Sequence, residues 1–258
     1  MKNIFAVSSI VIKELYRRKD FYVLFILTVL LCLVMASVSI FNDKNIIRYL
    51  KEICLLLIWI ASLVIAITTT ARQIPAEREN RTLFPLLAKP LSRTQLLLGK
   101  FLGCWLACGL ALLCFYLFFG LLAASREHHW ALVSYFQAAA LHWVMLGVVI
   151  ALTLFGSLVF AAPSSNSTIC FVTVAGILLL GRHLNKVALG MPEPRRSLVY
   201  VLYYAIPHLE LFDVRDLIIH NWSPIAWRTC GLASLYAMAY AAVFLIAACL
   251  VFRRRALN

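Results

Sequence analysis

Apolar residues in this chain gather into six runs, at positions 21–41, 53–70, 94–124, 131–162, 168–181 and 225–252. A helix needs about 20 mainly apolar residues to cross the roughly 30 Å hydrocarbon core of a bilayer. The third, fourth and sixth runs exceed that length, which predicts tilt or projection beyond the hydrocarbon. The fifth is short and is expected to borrow residues 182–189, whose long basic side chains snorkel. The pattern predicts an all-α, polytopic membrane protein in which residues 1–258 form one transmembrane domain with six transmembrane helices. The first run exceeds the core of a secretory signal and follows a long amphipathic stretch, so cleavage is not expected.

Three parts do not span. In residues 1–20, Ile4, Val7, Val11 and Leu15 recur at helical spacing, with Lys13, Arg17 and Arg18 on other faces. That is the pattern of an amphipathic helix lying in the membrane interface, an N-terminal elbow; the alternative is an irregular basic tail. Residues 71–93 are polar, dense in charge and punctuated by Pro75, Pro85 and Pro90. Residues 183–224 contain a short apolar stretch, 198–206, ended by Pro207. Too short to cross, it predicts broken, re-entrant or interfacial helices.

Composition removes the rival classes. Of 258 residues, 63% are hydrophobic and 14% charged, against roughly 45–50% and about 25% in soluble domains. Disorder requires low hydrophobicity and is excluded. The net charge of +13 does not point to nucleic acid, because the basic residues flank the apolar runs. With the N-terminus in the cytoplasm, fourteen Lys and Arg residues fall inside and ten outside. The positive-inside rule therefore favours cytoplasmic N- and C-termini. The eight cysteines lie almost entirely within apolar runs, where cysteine packs as a small hydrophobe. Cys104 and Cys108, one helical turn apart, would suit either packing or a soft metal.

Several chemistries are absent from the sequence. Gly99-Lys100 is followed by Phe101, so it is no Walker A motif, and there is no His-Glu-x-x-His or Gly-x-Ser-x-Gly. No acidic residue lies deep in a run, as an intramembrane proton relay would require. The reading is a chain without enzyme activity, metal site or cofactor of its own; any work it does draws energy from elsewhere.

Residues 71–103, ARQIPAERENRTLFPLLAKPLSRTQLLLGKFLG, carry the informative motif. They resemble the signature of permease subunits of ABC exporters of the second type, the type V fold. That signature reads Glu-x-Glu-x-Gly-Thr-Leu, Leu-Leu, Pro-x-Ser-Arg and Gly-Lys. Glu77, Glu79, Thr82 and Leu83 match its first part; Leu86, Leu87, Pro90, Ser92, Arg93, Gly99 and Lys100 match the rest. Asn80-Arg81 stand where Gly usually precedes Thr. Read physically, Pro75 suits a helix start, Pro85 and Pro90 would end the helix, and Glu77, Arg78 and Arg81 would face water. A surface helix with mixed charges and the anchors Leu83 and Phe84 suits insertion into a cleft on a partner.

The resemblance implies an ABC ATPase subunit in two copies, carrying ATP and Mg, docked on a cytoplasmic coupling segment. Its residues would be Glu77, Arg78, Glu79, Arg81, Thr82, Leu83, Phe84 and Leu87. It further implies a second permease copy, identical or similar, and a place in the bacterial inner membrane. The small residues Gly99, Gly103, Ala107 and Ala111 would admit a close helix neighbour, between copies or within one chain. Residues 203–220, YYAIPHLELFDVRDLIIH, also look like the permease that serves copper maturation of nitrous-oxide reductase. Transport of a substrate is the main expectation. The alternative is a non-transporting machine that passes ATPase motion to an extracytoplasmic partner docked on residues 183–224.

An outer cluster, His208, Glu210, Asp213, Asp216 and His220, falls within 13 residues. If helical, Asp213, Asp216 and His220 share one face, able to meet a cation, a cargo or a partner. The alternative is the wet face of an interfacial helix whose apolar stripe is Leu211, Val214 and Ile218. His128 and His129 are expected in a short outer turn, and His142 to be interfacial or packed.

Overall fold

The computed structural model describes residues 2–17, 22, 26, 29–30, 33–34, 44–79, 92–127 and 132–254. Among these residues every regular element is helical. In chain order they are α1 (Lys2–Arg17), α2 (Lys44–Ala71), α3 (Pro75–Glu79), α4 (Arg93–Glu127), α5 (Leu132–Val159), α6 (Pro163–Leu189), α7 (Arg195–Ala205), a 3-10 turn (Leu209–Phe212), α8 (Asp216–Ile219) and α9 (Trp227–Arg254). Five helices, α2, α4, α5, α6 and α9, are long and apolar enough to cross a membrane. Of the apolar run 21–41, only residues 22, 26, 29–30 and 33–34 are among the described residues.

Contacts order these rods. Lys100 of α4 reaches Gln73 just past α2, and Arg93 reaches the last carbonyls of α9; this is the basal end. At the distal end Lys51 of α2 bonds Ile218, and Gln137 of α5 bonds Ile225. Consecutive helices from α2 onward therefore alternate in direction, with α5 at the centre, packed on α2, α4, α6 and α9. The core is continuous along α5, where Met145, Leu146, Val149, Ile150, Leu154 and Leu158 are fully enclosed.

Two predicted boundaries move. The apolar runs end at 162 and resume at 168, but Pro163 opens α6 at its N-terminus, where a proline needs no N–H partner. Only Phe160–Ala162 separate α5 from α6, and Asn166 bridges them by donating to the Thr153 carbonyl at 3.1 Å. Gly156 leaves the room that the Asn166 side chain fills. The fifth run does gain length, since α6 continues to Leu189.

The amphipathic pattern of the N-terminus forms α1, with Val7, Val11 and Leu15 buried, Ile4 half-buried, and Lys13 and Arg17 exposed. Its partner is α4. Val7 lies over Gly99 and Val11 over Gly103, and a methyl group on either glycine would overlap them. Ser8 adds a 3.0 Å bond to the Gly99 carbonyl. The small-residue face of α4 thus takes a helix of the same chain. The matched spacing of four residues shows that the two helices run in the same direction at this contact.

Candidate coupling site

The motif region builds the basal end. After α2 the chain turns at Arg72–Ile74, and Pro75 opens the five-residue α3. The sequence pattern placed Glu77 facing water; instead it turns inward. Lys100, only 2% exposed, forms a 2.8 Å ion pair with Glu77 Oε1. The same ammonium donates to the Gln73 carbonyl at 2.9 Å and to Gln73 Oε1 at 3.3 Å. An ammonium has three protons, and each has an acceptor here. The reason Glu77 folds in is this cation: a buried ammonium without a counter-charge is costly, and pairing offsets the loss of water. Arg78 is half-buried and Glu79 exposed.

Ser92 and Arg93 serve two different helices. Ser92 Oγ accepts from Gln95 N–H, and Gln95 Oε1 accepts from Ser92 N–H, both at 3.2 Å. This reciprocal capping box fixes where α4 begins. Arg93 Nη1 donates to the carbonyls of Phe252 at 2.8 Å and Arg253 at 3.3 Å, groups that the end of α9 leaves open. The guanidinium lies 5.6 Å from the Phe252 ring centroid. Of the expected coupling residues, Arg81, Thr82, Leu83, Phe84 and Leu87, with Pro85 and Pro90, lie outside the described residues.

The distal segment folds onto the bundle. α7 ends at Ala205, before Pro207, as the sequence pattern indicated. The helix imagined through Asp213, Asp216 and His220 does not form: a 3-10 turn ends at Phe212, residues 213–215 are irregular, and α8 is one turn. Leu211 is 56% exposed, while Leu209, Phe212, Leu217, Ile218 and Ile219 are buried, so the apolar stripe is not the one expected. The outer cluster separates into local pairs. His208 Nδ1 meets Glu210 Oε1 at 3.1 Å, and Arg215 binds Asp213 through two bonds of 2.7 and 2.8 Å. Asp216 is exposed in α8, and His220 stacks on Trp222. Among the described residues no three His, Cys, Asp or Glu gather as a metal would require.

Arg215 reaches into the bundle, its guanidinium 5.3 Å from the Trp59 ring centroid. Burial opposes its charge, but hydrogen bonding and attraction from Asp213 outweigh this and raise its pKa above the ordinary value. Below it, His142 is packed rather than interfacial, with Ser62 Oγ at 2.8 Å and Tyr116 Oη at 3.4 Å. Lys51, 2% exposed, donates to the Ile218 carbonyl at 3.2 Å and to Asn221 Oδ1 at 3.4 Å. Sequence reasoning missed Lys51, Arg93, Lys100 and Gln137 as anchors. Lys100 had a signal: it is a cation inside an apolar run, where an ionisable residue calls for a named partner. Cys104 and Cys108 are buried in the core.

A helical, multi-pass bundle braced at its basal end around residues 72–100 defines an integral membrane protein. The chain belongs to a known family of such proteins: a family model described as ABC-2 family transporter protein matches residues 6–257. It is a permease subunit of an ABC transporter, and membership implies an ABC ATPase partner. Membrane subunits of this family are generally not enzymes themselves. No curated protein matches the chain.

Proposed function

We propose that this chain is the membrane subunit of an ATP-driven exporter whose coupling segment, 71–93, receives the motion of a separate ATPase. The basal end is then cytoplasmic. The observation that carries this reading is the Glu77–Lys100–Gln73 knot. It ties the start of the segment to both α2 and α4, so a push there moves two long helices at once. Glu77 and Arg78 brace the segment, and Glu79, Arg81, Thr82, Leu83, Phe84 and Leu87 meet the ATPase. ATP and Mg are held by that partner.

The reading gives the chain six spans in this orientation. α1 packs on the first turns of α4 at the basal end, whereas α2 starts at the distal end. The sixth span of this reading is the apolar run 21–41, most of which lies outside the described residues. Both termini are then cytoplasmic, and two permease copies work with two ATPase copies in the inner membrane. A mechanical role toward an extracytoplasmic partner is the second reading. It is favoured by α7, which turns Leu198, Val201 and Tyr204 outward.

The test is co-purification from native membranes in mild detergent. An ATPase in stoichiometric amount is expected with the natural chain and is expected to be lost with Glu79→Arg plus Leu83→Asp. An intact, dimeric preparation holding no ATPase overturns the reading.

A further inference from the structure

Pro207 breaks the distal helix, and the break leaves two backbone groups to be satisfied. A continuing helix would pair the Tyr204 carbonyl with the His208 N–H four residues on. Here the two are taken separately. Tyr240 Oη donates to the Tyr204 carbonyl at 3.1 Å, and His208 N–H donates to Tyr236 Oη at 3.0 Å. Both tyrosines come from α9, one turn apart, with ring centroids 4.9 Å from each other. One helix therefore holds both sides of the break.

The other end of α9 is held by Arg93, at the exit of the segment assigned to coupling. Electrostatics among side chains does not explain that contact, because Arg253 and Arg254 stand at the same helix end. The carbonyls and the negative end of the helix dipole draw the guanidinium in. The start of α9 is pinned as well. Gln137 of α5 accepts from Ile225 N–H at 3.0 Å and donates to its carbonyl at 2.7 Å. Of the five long helices α9 is the least enclosed by this chain, and its main neighbour is α5, the helix that carries the pivot residue Gln137.

We propose that α9 is a lever pivoting at Ile225, which carries displacement of Arg93 to the break at Pro207, with Arg93, Tyr236 and Tyr240 as its positioning residues. This rests on the ATP-driven reading above. At 1.5 Å per residue, Tyr236 and Tyr240 lie about 17 and 23 Å from Ile225, and Phe252 about 41 Å. A sideways shift of about 3 Å at Phe252 becomes about 1.2–1.7 Å at the tyrosines by the same geometry. Hydrogen bonds that start at 3.0 and 3.1 Å do not survive such a change. A modest basal displacement is thus sufficient to free the distal segment.

The test is amide hydrogen exchange across residues 203–212 in the permease–ATPase complex in lipid nanodiscs, with ADP and with Mg-ATP plus vanadate. In the natural complex, trapping ATP is expected to speed exchange at His208 by about fivefold or more, as loss of one hydrogen bond allows. Arg93→Gln is expected to keep the bound, hydrolysing ATPase but lose that response, and Arg93→Lys to restore part of it. Tyr236→Phe, which deletes one hydroxyl, is expected to give fast exchange in both states; it decides the matter if Arg93→Gln does not fold. A full response in Arg93→Gln, or slow exchange in Tyr236→Phe, overturns the lever. Bound ATPase with no response in the natural complex overturns the lever alone, whereas absence of any ATPase overturns the coupling reading with it.

Discussion

Trp105 and Trp143 exchange hydrogen bonds: each indole N–H donates to the other's backbone carbonyl, at 3.0 and 2.9 Å. Their rings stack at 4.6 Å between centroids. Each tryptophan is followed four residues later by a glycine, Gly109 on α4 and Gly147 on α5, and each glycine lies beneath the opposite ring. Two Trp-x-x-x-Gly segments thus clasp one another and set the spacing of α4 and α5.

The clasp predicts unequal costs for equal changes. A methyl at Gly109 would overlap the Trp143 ring nitrogen, whereas one at Gly147 would sit 3.1 Å from Trp105. Gly109→Ala should destabilise by about 1–3 kcal/mol, the usual range for overpacking, and Gly147→Ala by clearly less. Thermal unfolding in detergent checks the order; equal midpoints would contradict it.

The basal ion pair predicts strong non-additivity. Lys100→Met takes the buried ammonium away from Glu77, and Glu77→Gln takes the counter-charge away from an enclosed ammonium that keeps Gln73. Each should cost about 2–3 kcal/mol, below the full range for buried pairs because Glu77 keeps some contact with water. The double variant should cost about 1–2 kcal/mol less than the sum. Unfolding in mixed micelles measures the cycle, and simple additivity would mean that the pair does not hold α3 to α4.

How much of this was legible in the sequence depends on the length scale of each pattern. Apolar runs report helices faithfully because the bilayer demands them, so α2, α4, α5 and α9 lay where the pattern put them. The start of α6 fell outside its apolar run because Pro163 and the polar residues after it break the apolar pattern, while Asn166 satisfies its amide inside the bundle. Val7, Val11 and Leu15 were visible as one face, but nothing local told that Gly99 and Gly103 would receive it. At the motif, residue types were legible and directions were not. Glu77 looked solvent-facing because its partner, Lys100, is 23 positions away and folded in from another helix. The distal acids misled for the opposite reason: Asp213 was spent locally on Arg215, two residues on, which a helical projection does not anticipate.

The same point yields a prediction at the distal end. Lys51→Met removes the bonds to the Ile218 carbonyl and Asn221, where Asn221 already holds a positive φ of 52°. Residues 209–222 should then open locally, with tryptic cleavage after Arg215 rising about tenfold. An unchanged cleavage rate would show that burial of Leu217, Ile218 and Ile219 alone retains the segment.

A further expectation concerns the capping box. Ser92→Ala should cost about 1 kcal/mol and loosen the first turn of α4. Amide exchange at Gln95 reads this directly, because its N–H donates to Ser92 Oγ. Protection that survives the substitution would show that α4 is held by Arg93 and Lys100 alone.

The three-residue turn between α5 and α6 has a kinematic consequence. Three residues reach about 10 Å at full stretch, and Asn166 already ties the two legs together inside that turn. At the basal end these helices cannot part. Whatever opens a route through the bundle must therefore leave this hairpin whole, and its widening must lie elsewhere, along the seams of α2 and α4. This three-residue connection between two long helices thus divides the permease into parts that move and a part that is moved against.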